Sequence, residues 1–276
     1  MNALYINDLL RIEEEDFNKV KIRFNQFNGA ENPLDLYVRD PEMVNTNYFL
    51  WRTKQRYFSV GQTAICLLKL SEDMWLLTTI KEITKELDVF DGVNYEGKEV
   101  EEYMPYFGRV VIKFHKTFQA QGTFYENVYK QMEVVQILPT TYQGDDFPGY
   151  DKVRLSYEQL ATILQRGKRD WIAALENQKA VYLITDKHNG KLYVGSATSD
   201  KGMLLQRWSN YVANGHGGNK ELIALVNEKG FEYIKQNFQY SILENYNTKI
   251  DDHVILERES WWKEILQSRV FGYNSN

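Results

Sequence analysis

A single cysteine, Cys66, in 276 residues leaves no intramolecular disulfide framework and no cysteine-based zinc site. No uninterrupted apolar run approaches the length that spans a bilayer. The opening MNALYINDLLRIEEEDF lacks the basic region followed by an apolar core that marks a secretory signal. A cytoplasmic location is the expectation. An excess of positive charge is also missing: 33 Lys and Arg against 38 Asp and Glu leave a net charge of −5, which on average repels phosphate. The deficit is uneven. Residues 179–276 hold 12 basic and 11 acidic residues, whereas residues 1–178 hold 21 and 27, so a local basic groove remains open to the C-terminal part.

What is present is apolar and aromatic. At 43% hydrophobic and 14% aromatic the chain can build a substantial core, and its length suggests about two domains. After an opening of helical character, the runs YFLWR, RYFSVGQTAICLLKL, MWLLTTIKEI, GRVVIKFHK and KQMEVVQIL read as strands, with LLKLSEDMWLL as a hairpin. Five strands with few helical interruptions predict a small antiparallel barrel or sandwich. Its aromatics Tyr57, Trp75 and Tyr106, with Arg109 and Lys113, form either a DNA-reading face or simply core. TYQGDDFPGYD, residues 141–151, is the candidate linker. The helix that follows has Ser156 and Gln159 at capping-box spacing. Arg166-Gly167-Lys168-Arg169 is a basic run just before the next strand, and such a run is usually a solvated loop.

Two short apolar runs at residues 180–197 each present a tyrosine, Tyr182 and Tyr193, and flank Asn189-Gly190, whose positive φ values suit a tight hairpin turn. Leu204, Trp208 and Val212 then recur at helical spacing up to Gly215, and Arg207 and Tyr211 leave that helix from one face. The GHGGN turn holds His216, which either contacts DNA or sits in solvent, and Lys191 in the hairpin is equally open between phosphate contact and bare surface. A second helix runs from Asn219 to Gly230, and FQYSILE reads as a third strand.

In the last helix, DDHVILERESWWKEIL, the apolar positions Ile255, Trp262 and Leu266 place Glu259 within the buried stripe. A carboxylate there is costly unless it is ion-paired, with Arg207 or Arg258 as candidates, or binds a cation. Glu257 is rotated toward the solvated side with Glu264.

The order of two strand tyrosines, an arginine with a tyrosine four residues later, a glutamate on a later helix and a terminal asparagine resembles the GIY-YIG nuclease superfamily. Ala180-Val181-Tyr182 stands where that family has GIY, and Tyr193-Val194-Gly195 where it has YIG. Ala180 replaces a glycine and valine replaces both isoleucines. RESWWKEIL and FGYNSN look like the C-terminal stretch of bacterial members. The resemblance spans roughly residues 178–276.

Carried over, the resemblance implies phosphodiester hydrolysis. Tyr182 would act as the general base for water or relay its proton, and Tyr193 would orient the attacked phosphate. Arg207 would stabilise transition-state charge through its planar fork, with Tyr211 completing the network. Glu259 would be the one protein carboxylate on Mg²⁺ or Mn²⁺, and Asn274 would give supporting hydrogen bonds. The expected protein is α+β: residues 1–148 a β-barrel-like target-recognition domain, and residues 149–276 a GIY-YIG-like nuclease domain with a small antiparallel sheet flanked by helices. Its expected function is metal-dependent cleavage of DNA, in restriction of foreign DNA. The alternatives are a catalytically silent nucleic-acid-binding protein with the same fold, or a repair or RNA-processing nuclease. DNA is the expected partner, with a homodimer left open.

Overall fold

A computed structural model describes residues 3–27, 29, 32–198 and 202–275. The chain falls into two compact units, Met1–Gly144 and Asp145–Asn276.

The first unit carries strands β1 (Val20–Asn25), β2 (Trp51–Arg52), β3 (Thr63–Lys69), β4 (Met74–Glu86), β5 (Gly92–Val93), β6 (Tyr95–Glu99), β7 (Val110–Lys113), β8 (Gly122–Phe124) and β9 (Glu133–Ile137), with helices α1 (Ile6–Leu10), α2 (Pro33–Arg39) and α3 (Pro41–Met43). Seven strands form one sheet in the order β8-β1-β3-β4-β7-β9, with β6 also on β4, while β2 and β5 pair separately. The expected antiparallel barrel is not formed. The sheet is open, no ladder joins β8 to β9 among the described residues, and β1 runs parallel to β3. Part of the opening read as helical is β1 itself, in which Val20, Ile22 and Phe24 alternate with Lys21, Arg23 and Asn25.

Both faces of this sheet are covered, which explains near-continuous apolar runs such as AICLLK. Val20, Ile22, Phe24, Ile65, Leu67 and Trp75 pack on one face. On the other, Ala64 and Cys66 meet Phe49 and Phe58, and Leu68 meets Leu36 and Val44. Trp75 is therefore core. Arg109 is also turned to structural use, donating to the carbonyls of Leu138 (2.8 Å) and Pro105 (3.0 Å).

The second unit carries β10 (Arg154–Ser156), β11 (Lys179–Asp186), β12 (Leu192–Ala197) and β13 (Phe238–Tyr246), all antiparallel in the order β10-β13-β11-β12. Its helices are α4 (Tyr157–Arg166), α5 (Arg169–Glu176), α6 (Met203–Asn214), α7 (Lys220–Lys229), α8 (Phe231–Asn237), α9 (Asp252–Ile265) and α10 (Ser268–Phe271). α4 has the expected capping box, with Ser156 Oγ accepting from Gln159 N and Gln159 Oε1 from Ser156 N. Asn219 caps α7 through Leu222 N. Leu160, Trp171, Leu204, Trp208, Leu222 and Ile234 bury one face of the sheet under α4–α8. Ile255 of α9 covers Val181 and Val194 on the other. Among the described residues, no helix is long and apolar enough to cross a membrane.

Asn189-Gly190 lies in the β11–β12 turn, as the hairpin reading expects. Four residues, Lys187–Gly190, close it between Asp186 N and Lys191 O (2.9 Å), and of the pair only Gly190 has positive φ, +76°. Asn189 instead uses its side chain, accepting from Lys191 N (2.8 Å).

Candidate active site

Cross-strand pairing sets Tyr182 opposite Gly195 and Ile184 opposite Tyr193, so both tyrosines stand on the face covered by α6. The glycine has a steric reason. A Cβ on Gly195 would collide with the Tyr182 phenol ring, which lies directly over that position.

From α6, Arg207 and Tyr211 reach the same ring. Arg207 Nε donates to the Tyr182 hydroxyl (3.0 Å), and the Tyr182 and Tyr211 hydroxyls share a hydrogen bond of 2.9 Å. Arg207 Nη1 donates to Gly217 O (3.3 Å) in the glycine turn. Tyr182, Tyr193 and Tyr211 form a triangle of rings with centroids 6.0–6.4 Å apart. All three are buried.

Burial drives the Tyr182 and Tyr211 hydroxyls upward in pKa, despite the opposing effect of the Arg207 charge. Both are neutral phenols at neutral pH. Arg207 is shifted upward too, first by the adjacent Tyr182 oxygen, and is a cation throughout. The resting hydroxyl of Tyr182 is thus a hydrogen-bonded link and not a free phenolate. The Tyr193 hydroxyl has no protein partner among the described residues and neither does Arg207 Nη2, which leaves both for an incoming group.

Glu259 approaches the same edge strand from the opposite face. Side chains alternate along β12, so Ser196 points toward α9 and its Oγ donates to Glu259 Oε2 (2.5 Å). Lys263, one turn further along α9, sets its Nζ 2.9 Å from Glu259 Oε1. Glu259 is therefore ion-paired, but its partner is Lys263 and not either candidate, Arg207 or Arg258. Arg258 instead clasps Glu244, and this bond, joined by Tyr246 and Trp262, holds the Glu244 carboxyl at about 2. Glu257 lies outward, 3.4 Å from His253. The Glu259 and Lys263 side chains are only 13% and 7% exposed, so each needs the other.

Asn274 grips the strand between the motif residues. Its Oδ1 accepts from Val194 N (2.9 Å) and its Nδ2 donates to Val194 O (2.8 Å), while Tyr273 N donates to Leu192 O (2.8 Å). The chain end thus runs along β12 as an extra edge. Both ends of the Asn274 amide are engaged on the Val194 backbone.

Four of the six expected residues, Tyr182, Tyr193, Arg207 and Tyr211, come together on one face. Glu259 and Asn274 meet the same strand through Ser196 and Val194. Sequence reasoning missed Ser196 and Lys263. Lys263 was legible as the i+4 cation of Glu259, and Ser196 as the next outward position after Val194. Of the remaining candidates, His216 accepts from Gly218 N (3.0 Å) within its own turn, and Lys191 lies 5.4 Å from the Tyr273 ring. Lys168 of the basic run is held by Asp146 (2.9 Å) and Asp145 O (2.7 Å).

Among the described residues, no three His, Cys, Asp or Glu side chains converge as a metal cage. The donors that do converge, the Glu259 carboxylate and the Ser196 hydroxyl, are hard oxygens. They fit a magnesium-like ion that keeps most of its water, and they do not fit a dehydrated multi-ligand site.

A hydrogen-bonded tyrosine–arginine cluster on one face of an edge strand, with a glutamate on the other, defines the class. Residues 178–274 match the GIY-YIG catalytic domain, and the chain carries a domain of that family. Intron-associated endonuclease 1 of Enterobacteria phage T4 is 32% identical over 97 residues, which are 35% of this chain and 36% of that protein. The chain thus spans about a third of the length of this curated relative. Two solved structures are also similar. One, the catalytic domain of intron endonuclease I-TevI in mutant form, has 28% identity and TM-score 0.29, covering 36% of this chain and 94% of that one. The other, the catalytic domain of homing endonuclease I-TevI, has 29% identity and TM-score 0.28, covering 35% and 96%.

Proposed function

We propose that the protein is a divalent-metal-dependent endonuclease that hydrolyses DNA phosphodiester bonds, selecting its target for restriction of foreign DNA. The observation that carries this reading is the joining of Tyr182, Arg207 and Tyr211 into one hydrogen-bonded cluster beside Tyr193, on the strand that Glu259 reaches from behind. The similarity to an intron-associated endonuclease supports nuclease chemistry. The separate first unit leaves room for target choice outside the nuclease domain.

Arg207 takes a non-bridging phosphate oxygen with its unengaged Nη2 edge and stabilises the charge that builds there. Its Nε bond to Tyr182 fixes the guanidinium plane, and the Gly217 carbonyl fixes the other side. Tyr193 presents its hydroxyl to the phosphate or the attacking water. Tyr182, a phenol that burial keeps protonated, ties Arg207 and Tyr211 together beside the phosphate and does not act as a resting phenolate base; the proton lost by the attacking water goes to the leaving oxygen. Glu259 would hold the ion, with the Ser196 hydroxyl beside it. When bound, the ion supplies Lewis-acid stabilisation and a more acidic water.

The test is incubation of the purified protein with Mg²⁺ and a panel of plasmid, phage, base-modified and single-stranded DNA and RNA. Endonucleolytic products from a DNA member are expected. Cleavage of RNA alone would transfer the chemistry to RNA processing, and binding without cleavage of any member would favour a silent DNA-binding protein.

A further inference from the structure

At one end of the first unit's sheet, β1 and β3 finish side by side, β4 begins and β7 ends. A cleft of about 520 Å³ opens there, lined by Lys69, Asp73, Trp75, His115, Lys116 and Phe118 among others. This volume lies in the range of small-ligand sites. Its walls are fixed by backbone: Trp75 Nε1 donates to Phe114 O (3.0 Å), and Phe114 N donates to Asp73 O (2.8 Å).

The charges in the cleft are arranged unevenly. Asp73 is engaged by His115, with Oδ1 2.9 Å from Nδ1, and Glu72 is exposed. Among the described residues neither Lys69 nor Lys116 forms an ion pair with a carboxylate. Lys69 Nζ sits 5.7 Å from the Trp75 ring, and Lys116 Nζ donates to the Phe118 carbonyl while lying 4.4 Å from the Phe118 ring and 5.8 Å from Phe24. Burial and then the Lys69 charge lower the Lys116 pKa. Two like charges kept close without a counter-ion, in a part of the chain that is otherwise rich in acid, are arranged for an anion.

We propose that this cleft binds one nucleotide of a nucleic-acid strand, with its phosphate between Lys69 and Lys116 and its base against the aromatic wall formed by Phe118. Ammonium groups take phosphate as point charges, and an aromatic ring stacks on any base. The inference rests on the reading that the protein acts on nucleic acid, and it gives the first unit a specific contact.

The test uses the full chain in EDTA, so that nothing is cut. Fluorescence anisotropy follows labelled single-stranded and duplex oligonucleotides, with a deoxynucleoside monophosphate as competitor. K69Q/K116Q should weaken oligonucleotide binding at least tenfold at low salt. It should also lower the slope of log K against log salt by about one, as expected when one phosphate loses its neutralising charge. Phe118→Ala should weaken binding with the slope unchanged, and circular dichroism should be unaltered in both variants. Monophosphate binding as tight as the oligonucleotide's would make a free nucleotide the occupant and overturn the strand assignment. Unchanged affinity and slope in K69Q/K116Q would overturn the site. Cleavage with Mg²⁺ is scored separately: a wild type that cuts nothing while K69Q/K116Q loses binding defeats the nuclease reading and keeps the cleft, and the opposite pair of results does the reverse.

Discussion

Lys263 Nζ stands 2.9 Å from Glu259 Oε1, one helical turn away and almost fully buried, so the carboxylate assigned to the metal already has a protein cation against one of its oxygens. Replacing Lys263 by Met leaves Glu259 under-compensated in a site with little water. A loss of about 1–3 kcal/mol in stability is expected. Mg²⁺ restores positive charge at the same carboxylate, so it should raise the melting temperature of Lys263→Met more than that of the wild type. An equal Mg²⁺ effect on both proteins would mean that the ion does not reach Glu259.

Arg207→Lys keeps the charge and loses the planar fork. Turnover should fall by orders of magnitude while DNA affinity weakens only modestly, because the fork acts on charge that develops during reaction. Single-turnover rates and gel-shift affinities measured on the same substrate separate the two. Parallel losses would make Arg207 a docking contact.

Gly195→Ala places a methyl where the Tyr182 ring lies. The ring or the strand must shift, at about 1–3 kcal/mol. Because Arg207 hangs on the Tyr182 hydroxyl, cleavage should fall further than stability alone would explain. Thermal melting beside a cleavage assay checks this, and a variant with wild-type melting and wild-type rate would contradict the packing.

Arg258 holds Glu244 at about 2, below its ordinary 4.5. A depressed folded-state pKa means that the stabilisation is present above the ordinary value and is lost as pH falls from about 4.5 toward 2. Stability should therefore decline across that window, and Glu244→Gln should flatten the decline. Chemical denaturation at a series of acid pH values provides the comparison. An unchanged slope in the variant would remove Glu244 from the acid response.

The candidate site was largely legible because its signals are local. Tyrosines at strand positions, Arg207 and Tyr211 four apart on α6, and Glu259 in an apolar stripe depend on period alone. The first unit was less legible. The β1 segment VKIRFN alternates correctly, but Arg23 and Asn25 on its other face are buried, and its parallel partner β3 lies some forty residues away. Whether a sheet closes into a barrel depends on pairings between distant edges, which no local pattern encodes. β10 is three residues long and ends in the cap of α4, too short to carry a period.

The most direct measurement is Mg²⁺-dependent cleavage of duplex DNA by wild type, Glu259→Gln and Glu257→Gln, with DNA binding recorded in parallel. Wild type and Glu257→Gln should cut, whereas Glu259→Gln should melt lower, because it leaves the buried Lys263 uncompensated, but below its melting temperature should still bind DNA and leave it intact, since the amide keeps the volume and removes the charge that holds the ion. Cleavage by Glu259→Gln at the wild-type rate, or loss of cleavage only with Glu257→Gln, would contradict the account.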